Sequence, residues 1–299
     1  MKKATLIILI AFIVSSCGQA RKQQAEIAII SEEEQSISVT PSIQFDWGKV
    51  IVLKNSTIEE LKKKEKTNDK IIMNFLNKYA KLVDEFNEIL FNYRSYDSLN
   101  NLLYKERQRN EQYNLDLKNE VETNGFRLIF PEGMLEITQN TDFIKSEILS
   151  LVDSVSAEFI NLYCNEFDSV CCKDASIAIP QKEIVSRIYK WGELSKKVAK
   201  LEYKKYVEDE FYSNLFLLFS GQDNTPAFSH YWNGDDYQKT GRYNEESIDL
   251  MNKMIEKNPT SRAAEEFKPF VELLKNENFE ETQKIEEYIK IKFKQFFNY

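Results

Sequence analysis

Histidine is almost missing from this sequence: His230 is the only one among 299 residues. A histidine-based zinc centre has no ligand set, and the helical HExxH phrase is absent. A nucleophile activated by histidine finds no serine or cysteine that a known motif sets beside His230. The glycine patterns of a P-loop and of a dinucleotide-binding turn are absent as well. Neither a metal nor a cofactor is therefore expected. Glycine and proline number only eight and six, a shortage that goes with helix rather than with turn-rich sheet.

A basic surplus is missing too. Lys and Arg total 40 against 48 Asp and Glu, a net charge of −8. Such a chain lacks the cationic footprint that displaces counterions from nucleic acid, and charge alone does not hold it to anionic lipid. The ordinary meaning of this acidity is solubility. The apolar run Ala4–Val14 has eleven residues, about half the twenty that a bilayer-spanning helix needs.

That run is informative for what flanks it. Lys2 and Lys3 precede it and small residues follow it, the pattern of a cleaved secretory signal. Val14-Ser15-Ser16-Cys17 resembles the lipobox of bacterial lipoproteins. The resemblance implies a signal peptide over 1–16, a diacylglyceryl group on Cys17, and attachment to a membrane through that lipid, to which each buried methylene contributes about 0.8 kcal/mol. Gly18 stands where the enterobacterial sorting rule reads an aspartate as an inner-membrane mark, so the expected location is the outer membrane of a Gram-negative bacterium. Without Lys2 and Lys3 the chain keeps 38 of its 40 basic residues against 48 acidic ones, a net charge of −10. Residues 17–42 are polar and read as a disordered tether.

Three cysteines remain for the folded part: Cys164, Cys171 and Cys172. In an oxidising compartment a structural disulfide of Cys164 with Cys171 or Cys172 is one reading, and buried free thiols are the other. A zinc site lacks the paired spacing that such sites use.

Beyond the tether the expected fold is mostly α, divided into a region 43–122 and a region 123–299. Phe45–Leu53 holds a β-branched run and predicts a short strand. Thr57-Ile58-Glu59-Glu60 reads as a capping box that starts a helix. Ile72, Phe75, Tyr79, Leu82, Phe86, Ile89 and Tyr93 then form one seam of about six turns. After a break at 94–97, Leu99, Leu102, Leu103, Tyr113 and Leu117 mark a second arm, so 57–121 predicts a long antiparallel helical hairpin. Pro131-Glu132-Gly133 between apolar runs predicts a small β-hairpin near 126–138. Helix is expected over Thr141–Glu166, over an amphipathic stretch with Ile184, Ile188, Trp191, Ser195 and Val198, over Tyr203–Leu218, and over about 243–257, 261–275 and 280–297.

Lys257-Asn-Pro-Thr-Ser-Arg-Ala-Ala264 resembles the turn between helices of tetratricopeptide-type repeats. The resemblance implies C-terminal stacked helical hairpins in an α-solenoid-like packing, and only this packing mode carries over, not the family's peptide-binding residues. Asp97-Ser-Leu, Asp153-Ser-Val and Asp168-Ser-Val resemble the short O-glycosylation motif of secreted Bacteroidota proteins.

Function narrows to one long segment. Residues 221–241 read as an irregular loop, and loops of that length are often functional. It holds Asp223, Asn224, His230, Trp232, Asp235 and Asp236, the candidate binding residues. Gly221-Gln-Asp-Asn-Thr-Pro226 resembles a phrase in envelope proteins of Bacteroidota-like bacteria. A local role is also available, since Asp223, Asn224 and Thr225 suit a turn before proline. Calcium lacks the ordered ligand spacing of an EF-hand. The expectation is a lipid-anchored, non-enzymatic binding or scaffold protein for an envelope protein or glycan. The alternative is an envelope hydrolase of peptidoglycan or glycan using the loop carboxylates.

Overall fold

Apolar residues at three- and four-residue spacing organise the start of the folded region. In the computed structural model, which describes residues 44–63, 68–92, 116–131, 134–229, 231–233, 236–238 and 241–294, Val50, Leu53, Thr57 and Leu61 form the buried face of α1 (Gly48–Lys63). Helical spacing overrides the β-branched run that predicted a strand over Phe45–Leu53. Ile51 and Val52 are left outside, 52% and 68% exposed. Thr57 lies within α1 rather than at its start. Its hydroxyl donates to the Leu53 carbonyl at 2.8 Å, the back-bond of a mid-helix threonine, so the expected capping box is not formed.

Helix α2 (Asn68–Phe91) carries the expected seam, with Ile72, Phe75, Tyr79, Leu82 and Phe86 buried. It packs antiparallel on α1: the rings of Trp47 and Phe86, at the start of one helix and the end of the other, are 4.9 Å apart, and Lys49 pairs with Glu85. α1 ends at Lys63 and α2 begins at Asn68, so the expected first arm is two helices, and the expected break over 94–97 lies outside the described residues. Most of the expected second arm lies outside the described residues, and α3 (Asp116–Thr123) is its described end. Residues 1–43, with Cys17 and the expected signal segment and tether, lie outside them too.

The β-hairpin near 126–138 is present. β1 (Phe126–Ile129) and β2 (Glu136–Gln139) run antiparallel with Phe126 opposite Gln139. Asn87 of α2 acts as a substitute strand for β2: its side chain donates to the Ile137 carbonyl at 2.9 Å and accepts from the Ile137 amide at 2.7 Å. The buried Tyr79 stacks on Phe126 with centroids 4.9 Å apart.

The single helix expected over Thr141–Glu166 is two, α4 (Thr141–Ile148) and α5 (Ser154–Asp168), with a 3-10 turn over Leu149–Leu151 between them. Asp153 sets the break. Its carboxylate accepts from the Ser156 amide at 2.8 Å, an N-cap that requires extended backbone. The apolar spacing runs on across this break and does not reveal it. The same contact gives the Asp153-Ser-Val phrase a structural role.

Helices α6 (Gln181–Lys197) and α7 (Lys204–Ser220) form one hairpin, and α8 (Glu245–Lys257) and α9 (Arg262–Asn276) form another. α6 touches both helices of the second pair. Gly192 permits the approach, because a Cβ there would stand 3.0 Å from the Phe211 ring and 3.4 Å from Arg262 Cβ. Ser261 caps α9 by accepting from the Ala264 amide at 3.1 Å, and Ala263 and Ala264 are fully buried. Stacked helical hairpins are thus the packing of this half. Arg262 donates to both oxygens of Glu208 at 2.7 and 2.6 Å and lies 4.2 Å over the Phe211 ring, joining α9 to α7. Helix α10 (Gln283–Lys292) packs on α7. One core of buried residues runs from Phe45 to Phe293. Among the described residues no helix is long and apolar enough to cross a membrane.

Candidate functional site

The described residues of the segment 221–241 form two short hairpins rather than an irregular loop. β5 (Gly221–Gln222) pairs with β6 (Thr225–Pro226), and β7 (Tyr231–Asn233) pairs with β8 (Asp236–Gln238), both antiparallel. Asp223 and Asn224 close the first hairpin, so turn chemistry that reads as a loop is two-residue hairpin chemistry here.

A third hairpin meets the first. β3 (Cys172–Lys173) and β4 (Ser176–Ile177) are joined by Asp174 and Ala175, both left-handed with φ of 49° and 53°. That is the twist a two-residue turn needs, although alanine seldom adopts it. The Asn224 amide donates to the Ala175 carbonyl at 2.9 Å, and its side chain donates to the Asp174 carbonyl at 2.8 Å. The Thr225 hydroxyl accepts from the Ile177 amide at 3.1 Å. Three bonds therefore tie one turn to the other.

The ends of the second hairpin are also fixed. The Ser229 amide donates to the Arg242 carbonyl at 2.9 Å, the Arg242 amide donates to the Ser229 hydroxyl at 3.0 Å, and Phe228 bridges Tyr243. The Tyr243 hydroxyl donates to the Leu218 carbonyl at 2.5 Å. Gly241 is required where the two chains meet, since a Cβ there would overlap the Ser229 carbonyl oxygen at 1.4 Å.

Asp223 is exposed in the β5–β6 turn and Asn224 is engaged with the neighbouring turn. Trp232 stands in β7 opposite Tyr237, and Asp236 in β8 opposite Asn233. His230 and Asp235 lie outside the described residues. Asp223 and Asp236 thus belong to separate hairpins. The described residues assemble no group of three or more His, Cys, Asp and Glu side chains suited to a metal ion.

A buried ionic cluster adjoins the clasped turns. Arg187 of α6 is only 2% exposed and pairs with Glu166 of α5. It also donates to Glu183 at 3.3 Å and to the Ser169 carbonyl at 2.6 Å, covering carbonyls at the C-terminus of α5. The Trp191 indole donates to Glu166 at 2.9 Å. Burial raises the Glu166 carboxyl against these donors. On α7, burial and the nearby charge of Glu166 push Glu210 up to about 7, against a bond from Tyr206. Glu166 is saturated and serves as the counter-ion of Arg187. Glu210 is a carboxyl able to exchange a proton at neutral pH. No motif marks either residue. The available signal is position, for Glu210 lies three residues after Val207 and four before Asn214, both buried.

Among the described residues Cys164, Cys171 and Cys172 are free, which agrees with the reading of free thiols rather than of a disulfide to Cys164. Cys164 is buried on the α4-facing side of α5, its thiol 3.9 Å from the Thr141 carbonyl. Cys171 and Cys172 lie past the end of α5, where Arg187 acts on them. No family model matches this chain, and no curated protein or solved structure matches it either.

Proposed function

We propose that this chain is a lipid-anchored cell-envelope protein, held in the outer membrane of a Gram-negative bacterium through Cys17, which binds an envelope protein or glycan without chemical turnover. The address rests on the charged start, the short apolar run and Val14-Ser-Ser-Cys17. The β7–β8 hairpin carries the binding half of the reading. Tyr231, Trp232 and Tyr237 lie on six paired positions whose base is closed by the Ser229–Arg242 and Phe228–Tyr243 contacts. Tyr and Trp dominate binding energetics because they supply large area at low entropic cost, with a polar tip. A pinned base reduces the ordering cost of docking.

The test is crosslinking in intact cells with the lipidated protein, followed by recovery and mass spectrometry. The expected result is reproducible capture of one partner, lost when residues 230–240 are replaced by a short linker while the helical circular dichroism spectrum is kept. Capture that survives the replacement overturns the assignment of the site. Turnover of a peptidoglycan or glycan substrate that depends on Asp223 or Asp236 overturns the non-enzymatic reading.

A further inference from the structure

Cys171 and Cys172 are neighbours in sequence, both half-buried, and their sulfurs are 3.3 Å apart. Their surroundings differ. The two sulfurs share a hydrogen bond that either can donate, and both feel the charge of Arg187, while the Gln222 side chain of β5 acts on Cys172. All three favour a thiolate on Cys172, because each places positive charge or a donor at the sulfur. The bond shared with Cys171 is the largest influence, and together they hold Cys172 below the usual thiol range against the effect of burial. That same bond and burial push the Cys171 thiol up. Cys164 offers a contrast within the chain: it is fully buried, and burial raises it to about 12.

We propose that Cys171 and Cys172 form a thiol–disulfide exchange site for small-molecule disulfides, with Cys172 as the attacking sulfur and Cys171 as the resolving one. The Cys172 thiolate attacks one sulfur of a disulfide RSSR. A Cys172–SR bond forms, the S–S bond of the reagent breaks, and RS⁻ leaves and takes up a proton. Cys171 then loses its proton and attacks the Cys172 sulfur, releasing the second RS⁻, which is protonated in turn. The balance is one dithiol and one RSSR giving one Cys171–Cys172 disulfide and two RSH, with two electrons passing from the protein to the reagent. The first step requires access to Cys172, and the second requires that sulfurs already at 3.3 Å close to about 2.05 Å. A readily ionised thiol beside a resolving cysteine is the arrangement that makes such pairs responsive.

The test uses the full chain in detergent, reduced, freed of reductant and exposed to oxidised glutathione, with acid quenching, intact mass and peptide mapping. The wild type is expected to lose two hydrogens, with the new bond mapped between Cys171 and Cys172. Cys171→Ser is expected to stop with one glutathione on Cys172, and Cys172→Ser to leave Cys171 unmodified over the same interval. Glutathione carried by Cys171, equal modification of both, a bond to Cys164, or no reaction by the folded wild type each overturns the proposal. A second measurement on the wild type does not depend on folding of the variants. Limiting iodoacetamide under native conditions should alkylate Cys172 ahead of Cys171, and equal labelling counts against the assigned roles.

Discussion

The Asn224 side-chain amide donates to the Asp174 carbonyl at 2.8 Å, joining turns that lie 50 residues apart in sequence. Asp174 and Ala175 hold left-handed backbone in that turn, and the contact stabilises a conformation that alanine disfavours. Asn224→Ala removes this bond and keeps the backbone bond to Ala175. The expected loss of stability is about 0.5–1.5 kcal/mol, the usual net worth of one hydrogen bond. Amide exchange over Cys172–Ile177 should accelerate more than exchange in α6 and α7. A uniform change across the chain would show that the contact does not act locally.

Arg187→Met leaves Glu166 buried without its counter-ion and uncovers the Ser169 carbonyl. Breaking a buried pair on one side costs about 3–5 kcal/mol, because the remaining charge is uncompensated. Adding Glu166→Gln removes that charge, so the double variant should recover part of the loss. A urea-denaturation cycle of the four proteins measures the coupling, expected at about 0.5–3 kcal/mol for groups in direct contact. Strict additivity would contradict the pairing.

Local signals account for what the sequence revealed. Ile184, Ile188 and Trp191 recur at helical spacing and are all fully buried in α6, and Ser261 caps α9 where the Pro259–Ala264 phrase places a helix start. The structure departs from the local pattern where that pattern has two meanings. Threonine followed by two glutamates fits a cap, yet Thr57 sits on the inner face of α1, where burial decides. Asp153 interrupts a stripe of apolar residues that continues on both sides. Asp223 and Asn224 were legible as turn formers, but their partner turn is remote in sequence and carries no periodic signal. Glu166, Arg187 and Glu210 resemble solvated helix charges until α5, α6 and α7 are brought together.

Cys17→Ala tests the proposed anchor apart from the fold. The variant loses the sulfur that a diacylglyceryl group requires, so labelled fatty acid should no longer be incorporated and the protein should leave the membrane fraction. Helical circular dichroism should be unchanged, since the described fold begins well after Cys17. Incorporation of label into Cys17→Ala protein would refute the lipid assignment.

Glu210 gives the fold a pH dependence of definite sign. Burial, and then the neighbouring charge of Glu166, raise its carboxyl from 4.5 to about 7 in the folded chain. Between those values the folded state binds more protons than the unfolded state, so stability falls as pH rises. The contribution is complete below about 4.5 and is lost as pH passes through about 7. Asp153 and Asp168 are shifted the other way, below 3.8, by hydrogen bonds and ion pairs that outweigh burial. Their contributions vanish only in stronger acid and do not enter this window. Glu210→Gln keeps a similar shape and removes the titration, while Glu166 remains in both proteins and largely cancels in their difference. Urea midpoints measured across the window should fall for the wild type and change less for Glu210→Gln, so that the variant gains on the wild type as pH passes 7. Parallel curves for the two proteins would place the titration on another group.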